Sequence, residues 1–158
     1  MTMRIGNGYD VHAFTPGRPL VLGGVTIPYE LGLAGHSDAD TVIHAVVDAL
    51  LGAAALGDIG THFPSNDERW KDQPSSVFLD YTYTLLQQHG WHISNVDATI
   101  IAQRPRMAPH IQSMRTHLAE RLHLDLEQVS VKATTTDGLG FTGRSEGIAC
   151  YAVALIER

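Results

Sequence analysis

The run from Gly35 to Gly60, GHSDADTVIHAVVDALLGAAALGDIG, constrains this chain more than any other stretch. Its middle has the length of a helix and carries Ala39, Val42, Ile43, Ala45, Val46, Val47, Ala49, Leu50 and Leu51, so almost every side is apolar. A helix that is apolar all round has to be buried. Yet Asp40, His44 and Asp48 recur every fourth residue, which lines them up along one face with Thr41 beside them. Buried acids and imidazoles are costly unless a metal, an opposite charge or a polar ligand meets them, so this stripe marks where chemistry is expected. Ser37 is a good N-cap for the helix, and Asp40, three residues on, sits where a capping-box acid belongs, which makes capping its preferred role. No such role is open to His44 or Asp48. Gly57-Asp58-Ile59-Gly60 ends the helix in a glycine-flanked acid, with amides and a carboxylate available to a polar ligand.

The rest of the chain supplies partners for that helix. Arg4–Ala13, RIGNGYDVHA, begins with small alternating residues; if it is a strand, Asp10 and His12 point to the same face. They read either as two preset metal ligands or as a polar pair on an edge strand. Should His44 face them, the Asp, His, His set gives zinc its usual protein complement with one position left for a ligand; the same set suits Fe(II). Pro16–Pro19 is a turn, and Leu20–Leu22, Gly23-Gly24 and Val25–Ile27 read as a short hairpin stopped by Pro28. Thr61–Pro74 reads as a long loop suited to a lid. A second helix starts at Ser75-Ser76 and stops at Gly90, Asn95–Gln103 alternates as a strand, and Pro109 is placed for the first turn of a third helix with Met114 in the core. Val129–Thr134 is a strand leading into Thr135–Arg144, whose threonines, acid, glycines and arginine form a candidate anion loop. Gly147–Ile156 is a last, continuously apolar strand.

This order predicts an α/β (α+β) fold in a single domain over residues 1–158, mainly a four-stranded mixed sheet with helices packed on one face, plus the hairpin. A chain of 158 residues that is 44% hydrophobic and 18% charged fits one domain with a sizeable core. Its net charge of -6, without a Lys/Arg cluster, argues against nucleic acid as a partner. A net-negative protein needs metal ions or well-aimed donors to hold an anionic substrate. The single cysteine, Cys150, excludes an internal disulfide and reads as a buried small residue. With no signal-peptide pattern before Arg4 and no 18-residue apolar span, no membrane partner and a cytoplasmic location are expected.

Several motifs, in one order from Arg4 nearly to the end, match a known family. They are D-V-H at Asp10–His12, G-H-S-D-A-D at Gly35–Asp40, the run from His44 to Gly60, I-I-A-Q at Ile100–Gln103, V-K-A-T-T-T, and G-F-T-G-R through Arg144. Together they resemble the 2-C-methyl-D-erythritol 2,4-cyclodiphosphate synthase family of the non-mevalonate route to isoprenoid precursors. The resemblance implies an enzyme that folds 4-diphosphocytidyl-2-C-methyl-D-erythritol 2-phosphate on itself. The 2-phosphate attacks the β-phosphorus, and CMP leaves. It also implies a homotrimer with active sites shared between adjacent subunits.

By that resemblance Asp10, His12 and His44 match zinc (Zn2+) ligands, of which Asp10 and His12 also meet substrate, and His36, another substrate contact, and Thr135 match the residues that stabilise the transition state. Ser37 matches a contact to the erythritol phosphate, Asp58, Ile59 and Gly60 a ribose-binding segment, and Phe63, Pro64, Ser65, Asn66 and Asp67 a substrate-contacting loop. Ala102, Gln103, Arg104, Pro105, Arg106, Met107 and Ala108 match the cytosine pocket. Thr134, Thr135, Thr136, Asp137, Phe141 and Arg144 match the diphosphate end, with Asp137 the carboxylate offered to a second divalent cation, Mg2+ or Mn2+. The chain departs from the family pattern at Asp137 (an acid one methylene shorter), Gly138 (a lysine lost), Ser65 (a hydroxyl for an acid), Asn7 and Ser145. A zinc phosphohydrolase and a non-catalytic nucleotide-binding module are the competing readings.

Overall fold

Period-two alternation with glycines at Gly6 and Gly8 makes the first strand both the longest and the one most closely covered. In the computed structural model, which describes residues 1–158, the elements run β1 (Met3–Thr15), β2 (Leu20–Leu22), β3 (Val25–Ile27), β4 (Gly32–Leu33), α1 (Thr41–Ala53), α2 (Ile59–His62), α3 (Ser76–Gln88), β5 (His92–Ile101), α4 (Ile111–Leu122), β6 (Val129–Thr134), α5 (Gly140–Gly143) and β7 (Gly147–Glu157). The main sheet has the order β4-β1-β7-β5-β6, and β2-β3 form a separate hairpin. Only β5 and β6 are parallel, with α4 as their crossover. The sheet is thus the expected mixed one, extended by the two-residue β4, which pairs Phe14 with Leu33. No helix is long and apolar enough to cross a membrane.

Helix α1 lies along β1 and β7, α3 packs on α1, and α4 packs on β6 and α3, so the helices cover one face. A Cβ added at Gly8 would overlap the carbonyl of Ala45, and one at Gly6 would overlap the backbone of Ala49 and Ala53. The absence of those two side chains is what lets the helix touch the strand. Fifteen residues of the core come from α1 and β7 alone, where Val42, Ile43, Val46, Leu50, Leu51, Ile148, Ala152 and Ile156 are among the fully buried. Cys150 is buried among them and Met114 is core, as expected; burial, and then the carboxylates of Asp40 and Asp10, push the Cys150 thiol far above its ordinary range. The opposite face of the sheet is uncovered: Ile5 is 72% exposed, Tyr9 55% and Tyr151 44%, with Met3 and Val11 in the same row of β1. An apolar row of this kind is the mark of an interaction surface.

Four boundaries differ from the sequence expectation. Ser37 does not cap the central helix, because Ala39 is left-handed (φ 57°) and Asp40 extended, so the helix starts at Thr41 with Asp40 itself as N-cap. Outside the helical turn, Asp40 also leaves the stripe of His44 and Asp48. Its two oxygens accept the N–H groups of Ile43, Gly23 and Gly24, pinning the hairpin to the helix start. The helix ends at Ala53, before a left-handed Ala55, and Gly57–Gly60 instead begins α2, capped by Asp58. The long loop holds a 3-10 turn at Glu68–Trp70. Strand β5 begins at His92, bulges between Ile93 and Asn95, and stops at Ile101; Pro109 lies in a 3-10 turn (Ala108–His110) ahead of α4.

Two consequences are measurable. Gly8→Ala should lower the free energy of unfolding by about 3 kcal/mol, since the added methyl meets backbone rather than a movable side chain; denaturant titration reads this directly. Burial, then the neighbouring Asp38, pushes Asp40 up to about 6 against its three N–H donors. The folded state therefore holds this proton more tightly than the unfolded chain, so its contribution is present below about pH 4 and is lost as pH rises through 6. The stability of Asp40→Asn minus that of the parent, followed from pH 4 to 7, should rise with pH by on the order of 3 kcal/mol.

Candidate active site

The strand periodicity that turns Gly6 and Gly8 to the backbone of α1 also aims Asp10 and His12 at α1, where His44 meets them. The carboxylate Oδ2 of Asp10 lies 2.9 Å from His12 Nε2 and 3.4 Å from His44 Nδ1. The two imidazole nitrogens are themselves 3.3 Å apart. Each ring's other nitrogen is occupied: His12 Nδ1 donates to the carbonyl of Ala34 at 2.8 Å, and His44 Nε2 lies 2.9 Å from Ser75 Oγ and 3.2 Å from Ser37 Oγ. Burial raises the Asp10 carboxyl, but His12 and His44 outweigh it and hold it down to about 2. Burial likewise lowers His12, and Asp10 outweighs that and raises it. Both shifts express the same demand for positive charge between the three side chains. Asp10 Oδ2 is buried with no hydrogen-bond donor in good geometry. A donorless carboxylate facing two imidazole nitrogens, with all three ligand atoms within 4.8 Å of one another, fits a divalent cation.

Around this group a cavity of about 280 Å³ is lined by His12, His36, Ser37, His44, Ile59, Gly60, Phe63, Ser65, Trp70 and Phe78. Its aromatic wall is packed ring on ring, with Phe63 4.4 Å from Phe78 and 5.1 Å from Trp70. The His36 segment is tied by its backbone: Arg18 donates to the carbonyls of Gly35 and Ser37, and the Asp72 N–H to that of His36. The His36 ring has only a 3.4 Å contact to the carbonyl of Asp67. Asp58 caps α2 through the Thr61 N–H and hydroxyl, bonds that hold its carboxyl below the usual range. Pro64 is half-buried, Ser65 and Asn66 are exposed, and Asp67 is paired with Arg69, whose hydrogen bonds hold its carboxyl down.

A second cavity of about 580 Å³ opens at the parallel pair, where the carboxyl ends of β5 and β6 meet. Ala102, Gln103, Arg104, Pro105, Arg106, Met107 and Ala108 line it with Tyr29, Ala133, Thr134 and Thr135. The crevice at the carboxyl ends of parallel strands is a common ligand position. Ala102 N–H donates to Thr134 O at 3.0 Å and Gly138 N–H to Gln103 Oε1 at 3.2 Å, which join the two loops. Thr135 donates its hydroxyl to Asp137 Oδ1 at 3.1 Å, and Thr136 its own to the carbonyl of Leu139. Most of the expected site residues therefore fall into two groups that line separate cavities of one chain. Asp10, Asp58, Pro64, Asn66, Asp67, Thr136, Asp137, Phe141 and Arg144 line neither; Arg144 is exposed and paired with Glu146. Asp137 is exposed and stands in no group of three metal-binding side chains.

Comparison with known proteins places this arrangement. The model of the YgbB family matches residues 3–157. The 2-C-methyl-D-erythritol 2,4-cyclodiphosphate synthase of Moorella thermoacetica is 62% identical over 154 residues, covering 98% of this chain and 94% of its own length. That of Syntrophomonas wolfei is 59% identical over 156 residues, covering 99% of each. The chain belongs to the 2-C-methyl-D-erythritol 2,4-cyclodiphosphate synthase family. Among solved structures, the bifunctional IspDF of Campylobacter jejuni superposes with a TM-score of 0.95 at 41% identity, covering 98% of this chain and 42% of that one. The Plasmodium falciparum IspF–CDP complex superposes with a TM-score of 0.85 at 36% identity, covering 98% of this chain and 95% of that one.

Within this synthase-family fold, several residues at the site carry no signal of their own in the sequence. Tyr29, Trp70 and Phe78 read as ordinary apolar residues, and only the fold brings them to a cavity. Arg18 lies in a Pro/Gly turn, and Ser75 reads as a helix start, although its hydroxyl makes no capping bond. Asp48, without a definite role in the sequence, accepts the Ile59 N–H at 2.7 Å and so anchors the first turn of α2 to α1; burial raises its carboxyl. Asp48→Ala should cost about 1 kcal/mol and speed hydrogen exchange of the Ile59 amide, while Asp48→Asn, which keeps an acceptor oxygen, should retain most of the protection.

Proposed function

We infer that this chain is a 2-C-methyl-D-erythritol 2,4-cyclodiphosphate synthase, converting 4-diphosphocytidyl-2-C-methyl-D-erythritol 2-phosphate to the cyclic diphosphate and CMP. The observation that carries the reading is the nearly end-to-end identity with synthases of that name, 62% over 98% of the chain. Both reacting groups belong to the substrate, so the protein has to fold it and stabilise crowded negative charge, which is positioning plus electrostatics. Asp10, His12 and His44 are the residues that would hold zinc, and zinc there supplies Lewis-acid polarisation of a phosphate oxygen.

The chain's own groups divide the remaining work. His36, on its clamped backbone, and Thr135, at the end of β6, stabilise the charge that builds on the transferring phosphoryl group. Ser37 and the Phe63–Asp67 loop meet the erythritol phosphate. Asp58, Ile59 and Gly60 take the ribose, and the Ala102–Ala108 loop takes cytosine through main-chain groups; solved relatives with CDP bound support a nucleotide ligand. Thr134, Thr136, Phe141 and Arg144 serve the diphosphate, and Asp137 a second divalent cation, magnesium or manganese. The two groups of site residues line different cavities of one chain, and the helix-free face of the sheet is apolar. Both features support a homotrimer in which the nucleotide pocket of one subunit adjoins the metal group of the next.

The test is phosphorus NMR of the purified protein with substrate, zinc and magnesium. CMP and the cyclic diphosphate should appear in equal amounts, and His44→Ala should slow both by about 100-fold or more. CMP with a linear product would replace the synthase reading with a phosphohydrolase. Nucleotide binding without turnover would replace it with a binding module.

A further inference from the structure

His44 reaches the metal group through one ring nitrogen, and the surroundings of the other decide whether that nitrogen has a lone pair to offer. We propose that Ser75, oriented by Asp38, is a positioning residue that keeps the proton of His44 on Nε2 and so presents Nδ1, unprotonated, to Asp10 and His12. The inference rests on the metal reading of that group.

Ser75 is fully buried, at the start of α3 where it docks on α1. Its hydroxyl donates to Asp38 Oδ1 in a short hydrogen bond, and its backbone N–H donates to Asp38 Oδ2 at 3.0 Å. A carboxylate only accepts, so the single hydroxyl proton is committed to it. What Ser75 Oγ has left for His44 Nε2, 2.9 Å away, is a lone pair. Nε2 must then be the donor, and the neutral ring leaves its lone pair on Nδ1. That atom is 3.4 Å from Asp10 Oδ2 and 3.3 Å from His12 Nε2. Ser37 Oγ, 3.2 Å from the same Nε2, accepts the Ala39 N–H and can give its own proton to Ser75 Oγ, 3.4 Å away, which leaves it a second and weaker acceptor for Nε2. His12 achieves the same end through a main-chain carbonyl, whereas His44 lies within a helix whose carbonyls are taken. A carboxylate–hydroxyl–imidazole chain replaces the carbonyl there, and such outer partners set both the orientation and the basicity of a metal ligand. The Ser75 hydroxyl makes no helix-capping bond, so these contacts account for it.

The experiment is metal binding by Ser75→Ala, with cobalt(II) and zinc as probes. Competition with a chromogenic chelator should show about 10- to 100-fold weaker affinity than the parent. The cobalt d–d spectrum should change, and the loss of affinity should exceed any fall in the stability of the metal-free protein that deleting a buried, hydrogen-bonded hydroxyl brings. Ser75→Thr, which keeps the hydroxyl, should restore affinity and spectrum. If Ser75→Ala does not fold, Asp38→Asn gives the same comparison, with the same weakening expected. Parent-like affinity and spectrum in the variant would overturn the inference alone, as would affinity lost only in step with metal-free stability. A parent that binds neither ion would overturn the metal reading as well.

Discussion

The contact between α1 and β1 at Gly6 and Gly8 is the constraint on which the rest of the molecule depends. Two missing side chains let a helix backbone rest on a strand backbone, and the same alternation that faces the glycines to the helix turns Asp10 and His12 to it. One turn of α1 beyond the Ala49 contact is Ala45, and beside it His44 faces the strand pair. The separation of the three ligands is thus set by the closest packing in the core. A site built on two such rigid elements is held more accurately than one built on loops.

The groups around that contact divide into those that fix position and those that offer chemistry. Asp40 turns both its oxygens to backbone N–H groups, three in all, and Asp48 holds the turn that follows the helix. Asp10 does the opposite: its buried oxygen has histidines beside it and no donor in good geometry. Two acids and a histidine at four-residue spacing therefore have three different fates. Only His44 reaches the metal group, because Asp40 lies before the first helical residue and Asp48 is turned to Ile59.

Much of this is readable in the sequence, for identifiable reasons. The strands, the Gly23-Gly24 hairpin and the buried helix follow from periodicity and residue type, which are local properties, whereas the Asp10, His12 and His44 set, open on spacing alone, is gathered by the family resemblance. The helix starts three residues later than a Ser37 cap predicts, because Ser37 and Asp40 both suit a cap and nothing local shows that Ala39 is left-handed. The bond from Arg18 to Gly35 spans 17 positions and that from Ser75 to Asp38 spans 37, so no pattern along the chain could reveal them. The resemblance gathers all the site residues into one set, and a single chain separates them into two cavities. That division belongs to the arrangement of whole elements in space.

The treatment of His36 has a consequence of its own. Its peptide neighbours are bound from both directions, by Arg18 and by Asp72, yet its ring has only one long contact. Engaging a ligand then freezes little more than the two torsions of one side chain, an entropic loss of about 1 kcal/mol. An unclamped backbone would add a loss of similar size for every residue that had to be ordered with it. The segment thus sets a lightly held imidazole on a fixed mount, with the greater part of its ordering completed when the chain folds.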